Sequence, residues 1–95
     1  MEKQKELVFI TVIGQDRKGV VASISGYLFR KDVNIVDIHQ RIMTDGYFVM
    51  SMAVDAKDAT VSMTEMSREL DDVGRELGMQ VQVQHENVFR MMHRI

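Results

Sequence analysis

The hydrophobic and polar positions follow two periods along the chain and divide it into six segments. Residues 7–14 are apolar at odd and even positions alike, which is typical of a strand buried on both faces. Two stretches, 20–29 and 63–77, repeat apolar residues every three or four positions and predict helices. Three further segments, 33–43, 47–55 and 79–84, predict strands, and apolar and polar side chains alternate in the first and last of them, as in half-buried strands. The predicted order is βαββαβ.

The first predicted helix has two apolar sides. Asp16 precedes it as a candidate N-cap, and its core stripe consists of Val20, Val21, Ile24, Tyr27 and Leu28. The opposite side carries small residues where a solvated helix would carry Lys and Glu, including a glycine that costs about 1 kcal/mol against alanine. A second contact surface is therefore predicted at Ala22, Ser25, Gly26 and Phe29.

The second predicted helix carries its own start and stop signals. Ser62 and Glu65 have the spacing of a capping box, and Gly78 is placed to end the helix. The apolar stripe between them consists of Met63, Met66, Leu70, Val73 and Leu77.

The loop between the second and third strands follows from the register of their apolar positions. These positions are even-numbered in both strands: Val36, Ile38 and Ile42 in one, and Phe48, Met50, Met52 and Val54 in the other. A two-residue turn would pair position 42 with 49 and put the two sets on opposite faces. We therefore expect a three-residue loop, Thr44-Asp45-Gly46, with the glycine in a left-handed conformation.

The order βαββαβ predicts an α+β fold of the ferredoxin-like type. Two right-handed crossovers give a four-stranded antiparallel sheet in the order 4-1-3-2, with both helices on one face. The first strand is then central and the second and fourth are edges, in agreement with their apolar patterns. The chain has room for one domain, residues 1–95, with a core over about 6–87. The tail, 88–95, carries Val88, Phe89, Met92 and Ile95 at helical spacing and predicts a short C-terminal helix.

Composition narrows the range of partners and locations. The formal net charge is −2 and the pI is about 5.9, which disfavours binding to a nucleic-acid backbone. Without cysteine, the chain has neither disulfides nor thiolate chemistry. No apolar run approaches the roughly 20 residues of a membrane span, and the first residues lack the features of a signal peptide. We expect a cytoplasmic protein that binds neither nucleic acid nor membrane.

Two clusters carry candidate chemistry. Residues 14–19 have the glycine spacing of a phosphate loop, but two valines follow where that motif needs Lys and Ser or Thr. Two interpretations of this segment remain. It is either a short connection with a structural role only, or a turn in which the free amides at the start of the helix bind an anion such as a carboxylate. Asp37, His39 and Arg41 share one face of an edge strand with no nucleophile or metal-ligand set beside them, which favours a solvated face. We expect no catalytic residue, no metal and no cofactor.

Two other classes of protein with this topology do not fit the chain. RNA-recognition domains place aromatic residues on strands one and three, but the spacing at Tyr47 and Phe48 is one residue short of their motif. Acylphosphatases need a Gln-Gly-Val-x-Phe-Arg run, which residues 18–23 do not supply.

Two motifs resemble those of ACT domains. They are Gly14-x-Asp16-Arg17-x-Gly19-Val20-Val21-Ala22 and Val33-Asn34-Ile35-x-Asp37-Ile38-x-Gln40. The resemblance covers nearly the whole chain, and the ending over 89–95 is similar to that of small stand-alone ACT proteins. The ACT regions of the glycine-cleavage repressor and of formyltetrahydrofolate deformylase are similar too.

The resemblance implies a homodimer that binds a small ligand, often an amino acid, at the subunit interface. Family sites use the first strand–helix turn and the start of the second strand, which here means Gly14, Gln15, Asp16, Arg17, Lys18, Gly19 and Val20 on one side and Asn34, Ile35 and Val36 on the other. Lys18 stands where many amino-acid-binding members have proline, so this turn gains a positive charge. The expected function is a regulatory ligand sensor acting on a separate partner protein. The alternative is a protein-interaction subunit with a vestigial ligand site.

Overall fold

Six elements follow one another in the order that the sequence predicts. The structure is a computed structural model that describes residues 4–86. Its elements are β1 Leu7–Gln15, α1 Val20–Arg30, β2 Asn34–Ile42, β3 Tyr47–Asp55, α2 Met63–Leu77 and β4 Met79–His85. The predicted order βαββαβ is confirmed, and the predicted C-terminal helix lies outside the described residues.

The four strands form one antiparallel sheet with β1 and β3 in its centre. Their order, β2-β3-β1-β4, is the predicted order 4-1-3-2 seen from the other edge. Both helices pack on the face that carries the even-numbered residues of β1 and β3, where Ile10 and Met52 share one core with Ile24 of α1 and Leu70 of α2. Within the described part of the chain, neither helix has the length and apolar character that crossing a membrane requires.

Helix α1 packs on the sheet through one stripe and leaves its other side open. Its buried residues are Val20, Ile24, Tyr27 and Leu28, as predicted. The prediction for Val21 is wrong, because this side chain lies at the border of the stripe beside an open cavity and is 37% exposed. On the far side Ala22 is exposed and Phe29 is 82% exposed. The side predicted as a second contact surface is therefore open to a partner.

The β2–β3 loop has the predicted length and register. Ile42 pairs with Phe48, and the Met43 N–H donates to the Tyr47 carbonyl oxygen at 2.7 Å, which leaves residues 44–46 as the loop. Gly46 has φ +86, the left-handed conformation that favours glycine.

Strand β2 differs from the prediction in its burial. Its pairing with β3 slips between Ile35 and Asp37, which inserts a β-bulge at Val36. Ile38 and Ile42 face the helix side, since they pair with core residues of β3, yet they are 40% and 62% exposed. An open cavity separates the end of β2 from α1. The residues predicted as core on β2, Val36, Ile38 and Ile42, instead form an exposed apolar edge.

Helix α2 starts and ends as predicted. Glu65 N–H donates to Ser62 Oγ at 3.1 Å, and Ser62 N–H donates to Glu65 Oε1 at 3.4 Å, so the capping box is complete. Gly78 ends the helix with φ 70. The sequence pattern did not single out Gly74, where a Cβ would lie 2.9 Å from the Met79 carbonyl oxygen. Glycine at this position allows α2 to lie close to β4.

Candidate functional site

The turn between β1 and α1 lies at one end of the sheet. Asp16 N–H donates to the Gly46 carbonyl oxygen at 3.0 Å, which joins the turn to the β2–β3 loop. Helix α1 begins at Val20, with Gly19 as its N-cap in the left-handed conformation, φ 89. The prediction that Asp16 caps α1 is wrong, because the N-cap is Gly19 and, within residues 4–86, no side-chain hydrogen bond caps this helix.

The start of α1 presents unpaired backbone donors. The bond from Ser23 N–H to the Gly19 carbonyl oxygen, at 2.9 Å, closes the first turn. The amides of residues 20–22 precede it and have no intrahelical acceptor. The first turn contains no acidic residue, so these amides and the helix dipole favour an anion at this point.

An open cavity of about 440 Å³ lies between the turn, the first turn of α1 and the end of β2. Four of the predicted ligand-binding residues line it: Asp16, Arg17, Gly19 and Val20. The other lining residues were not predicted from the sequence: Val21, Ala22, Gln40, Arg41, Ile42 and Phe48. A signal for the β2 residues was available, because β1 and β2 both run antiparallel to β3 and so end at the same side of the sheet.

Three other predicted residues of the turn have different surroundings. A Cβ on Gly14 would lie 2.9 Å from the Gly78 carbonyl oxygen, so glycine at this position permits close packing against the start of β4. Gln15 and Lys18 are exposed. Lys18 is therefore free to contribute its positive charge to the region of the turn.

Arg17 connects the turn to the second helix. Its Nη1 donates to the Leu77 carbonyl oxygen at 3.1 Å, at the C-terminal end of α2. A positive charge is favourable there because the last carbonyls of a helix carry partial negative charge. Arg17 thus lines the cavity and contacts α2 as well.

The second half of the predicted set lies at the opposite end of the sheet. Asn34 pairs with Asp55, which pairs in turn with Leu7 at the start of β1. The β2 residue beside the turn is Ile42, and a strand rises about 3.4 Å per residue, so the start of β2 is roughly 27 Å away. Within one chain, the turn and residues 34–36 do not meet.

Each residue of this second half has its own environment. Asn34 is exposed and lines a separate cavity of about 310 Å³ with Asp32, Val33 and Asp58. Ile35 packs against the core, and Val36 lies at the bulge with 46% of its surface exposed. A ligand bound at the turn could therefore contact residues 34–36 only if they belonged to another molecule.

The polar face of β2 is solvated. His39 Nε2 lies 3.0 Å from Asp37 Oδ2, and Ile38 N–H donates to Asp37 Oδ1 at 3.0 Å. The two side chains are 78% and 60% exposed, and a surface pair of this kind contributes little to stability. Among residues 4–86, no group of His, Cys, Asp and Glu side chains could hold a metal ion.

The model of the ACT domain family matches residues 6–84. The chain belongs to the ACT domain family. The UPF0237 protein of Methanocaldococcus jannaschii is 51% identical over 88 residues, which cover 93% of this chain and 97% of that protein. The ACT domain protein of Streptococcus pneumoniae is 31% identical with a TM-score of 0.79, over 90% of this chain and 96% of that chain. Both relatives have about the length of one ACT domain.

Two larger proteins share the fold of this ACT domain. Formyltetrahydrofolate deformylase of Pseudomonas syringae is 17% identical with a TM-score of 0.80, over 87% of this chain and 28% of that chain. A glycine cleavage system transcriptional repressor is 12% identical with a TM-score of 0.77, over 90% of this chain and 49% of that chain. The resemblance found in the sequence is confirmed. ACT domains are regulatory ligand-binding modules.

Proposed function

We propose that this ACT domain is a regulatory module that binds an amino acid or a related carboxylate and is not an enzyme. The cavity of about 440 Å³ at the start of α1 carries the proposal. The unpaired amides of residues 20–22 suit a carboxylate, and Arg17 and Lys18 add positive charge. Asp16 does not cap the helix, so its carboxylate is available to an ammonium group, while Val21 and Ile42 offer apolar surface to a side chain.

A second copy of the chain completes the proposed site. Edge strands can pair with an identical edge strand, and a twofold axis makes that pairing antiparallel. The start of β2 in one copy then lies beside the end of β2 in the other. Residues 34–36 of one copy thereby approach the turn of its neighbour, which they do not reach within one chain. Asn34 would offer both a donor and an acceptor to a zwitterion.

The outer edge of β2 supports this homodimer. Residues 43 and 47 form a hydrogen-bonded pair, and such pairs alternate along an antiparallel ladder, so residues 38, 40 and 42 direct their backbone groups away from β3. The Ile38 N–H is bonded to Asp37 Oδ1 in the single chain, a bond that pairing would replace. The apolar edge of β2 and the exposed Phe29 of α1 would be buried by the same contact.

A second candidate function is a protein-interaction subunit whose ligand site is vestigial. Phe29 favours it, because an aromatic side chain that is 82% exposed beside small residues suits the pocket of another protein. In either case the regulated activity belongs to a separate partner protein. Ligand binding separates the two functions, since only the first requires it.

The shared site can be tested by complementation. A thermal-shift screen selects the amino acid that stabilises the protein most, and titration calorimetry then measures its binding. Lys18→Glu should weaken binding by repelling the carboxylate, and Asn34→Leu should weaken it from the other copy. Arg68→Glu, on the exposed side of α2, is the control and should bind like the wild type.

Mixing the two damaged variants distinguishes a shared site from a site within one chain. Each heterodimer of Lys18→Glu and Asn34→Leu regains one undamaged site, so about a quarter of all sites should bind with wild-type affinity after exchange. If the mixture binds no better than either variant alone, the shared site is wrong. If no amino acid binds the wild type, the interaction subunit is the better account.

A further inference from the structure

Gln40 is a polar residue in a row of β2 that is otherwise apolar. The strand pairing places it opposite Met50 of β3, a fully buried core residue. Directly paired residues of an antiparallel sheet share a face, so the Gln40 side chain lies on the side of the helices. Its neighbours in the same row are Ile38 and Ile42. The row therefore presents one amide between two apolar side chains.

The Gln40 amide borders the candidate site. Gln40 lines the cavity of about 440 Å³ at the start of α1, and it is exposed. Within residues 4–86 its side-chain amide makes no hydrogen bond to another residue. A glutamine amide can donate two hydrogen bonds and accept others through its oxygen. Both capacities are therefore available to a ligand in the cavity.

The charged residues that line the cavity lie elsewhere. Asp16 and Arg17 belong to the turn, where the proposed function places the ammonium and carboxylate groups of the ligand. Arg41 pairs with Val49, so its side chain belongs to the face of the sheet opposite the helices. Among the described lining residues, Gln40 is the one that offers an uncharged hydrogen-bonding group. The wall formed by β2 is therefore suited to a polar group without charge.

We propose that Gln40 selects the side chain of the ligand, and that the ligand is an amino acid whose side chain is uncharged and forms hydrogen bonds. This inference rests on the proposed function, which supplies the sites for the carboxylate and the ammonium group. The Gln40 amide can accept a hydrogen bond from a hydroxyl or amide group and can also donate one to it. Ile42 and Val21 line the same cavity and suit the carbon atoms of that side chain.

Two pairs of amino acids test the inference on the wild-type chain by titration calorimetry. L-Threonine and L-valine have nearly the same shape, and threonine should bind more tightly by about 2–10-fold, the worth of one hydrogen bond. A purely apolar wall would instead favour valine. L-Glutamine should bind more tightly than L-glutamate, because the β2 wall offers no cation to the second carboxylate. Both comparisons are independent of any variant.

Gln40→Met tests the role of the residue itself. Methionine keeps the length of the side chain and removes both the donor and the acceptor. The affinity for threonine should fall by the same factor, about 2–10-fold, while the affinity for valine should not fall. His39→Met is the matched control, because it introduces the same side chain at the neighbouring position on the opposite face, where His39 is 78% exposed. It should keep the wild-type preference, and circular dichroism checks that both variants are folded.

Some results would overturn this inference and leave the proposed function in place. One is that valine binds at least as tightly as threonine, or that only apolar or charged amino acids bind. Another is a preference for threonine that Gln40→Met does not change. Tighter binding of glutamate than of glutamine would assign a cation to the ligand side chain. If no amino acid binds the wild type, the proposed function and this inference both fail.

Discussion

Asp55 joins the start of β1 to the end of β3 through one buried carboxylate. The side chain is 6% exposed, and its Oδ1 accepts the N–H groups of Glu6 at 3.0 Å and of Lys57 at 3.1 Å. The bond from Glu6 is the main reason that the pKa of Asp55 lies below its ordinary value, and Lys57 adds to this effect. The ionised form is therefore bound more favourably in the folded chain than in the unfolded chain.

Asp55→Asn should destabilise the protein at neutral pH and make its free energy of unfolding depend less on pH in the acid range. A carboxyl whose pKa is lowered on folding contributes its full stabilisation above the unfolded pKa of about 4 and loses it as the pH falls through the folded value. The free energy of unfolding can be measured in urea between pH 7 and pH 2. Its difference between variant and wild type should be largest at neutral pH and should disappear below pH 4. Glu76→Gln, at an exposed position of α2, is the control. A difference in free energy of unfolding that does not change with pH would mean that the ionised form of Asp55 does not stabilise the fold.

The roles of single glycines were the least predictable part of the site. The sequence assigned Gly14 and Gly19 to the ligand turn, but Gly14 lies near the end of β1 and only Gly19 lies in the turn itself. The reasons differ: Gly14 permits contact with the start of β4, whereas Gly19 adopts a positive φ and sets the start of α1. Neither reason can be inferred from the sequence without knowing which elements lie nearby. For the same reason, the sequence analysis wrongly placed the N-cap of α1 at Asp16.

At the scale of elements, signals within a few residues of one another were reliable. The capping box at Ser62 and Glu65 and the loop at residues 44–46 both follow from local spacing and register, and the structure has both. The bulge at Val36 was missed, because it depends on how β2 fits against β3 and leaves no local mark. The exposure of Ile42 has a different origin, because an open cavity separates this end of β2 from α1.

Two glycines in helices should respond oppositely to alanine. Gly74→Ala should destabilise the domain by about 1–3 kcal/mol, because the new Cβ would lie 2.6 Å from Val81 Cγ2 and 2.9 Å from the Met79 carbonyl oxygen. Gly26→Ala is the matched control. Its Cβ would meet only Arg30 Nη1, at 3.5 Å, so the higher helix propensity should stabilise the domain by about 0.5–1 kcal/mol. Thermal unfolding measures both, and equal shifts would show that α2 and β4 separate without cost.

At the scale of the whole molecule, topology could be predicted and the complete site could not. Right-handed crossovers leave few ways to arrange βαββαβ, so the strand order followed from the order of the elements. The resemblance to ACT domains supplied both halves of the proposed ligand site. The fold separates the turn at Asp16 from Asn34 by the length of β2, and only a second copy is expected to reunite them.

Stabilisation of the full chain by amino acids tests the proposed ligand site most directly. A ligand present at one hundred times its dissociation constant adds about 2.7 kcal/mol to the free energy of unfolding. For a domain of this size the melting temperature should rise by roughly 10–20 °C. We predict such a rise with at least one amino acid or related carboxylate, reduced in Lys18→Glu and retained in Arg68→Glu. An unchanged melting temperature with every amino acid would contradict the ligand site.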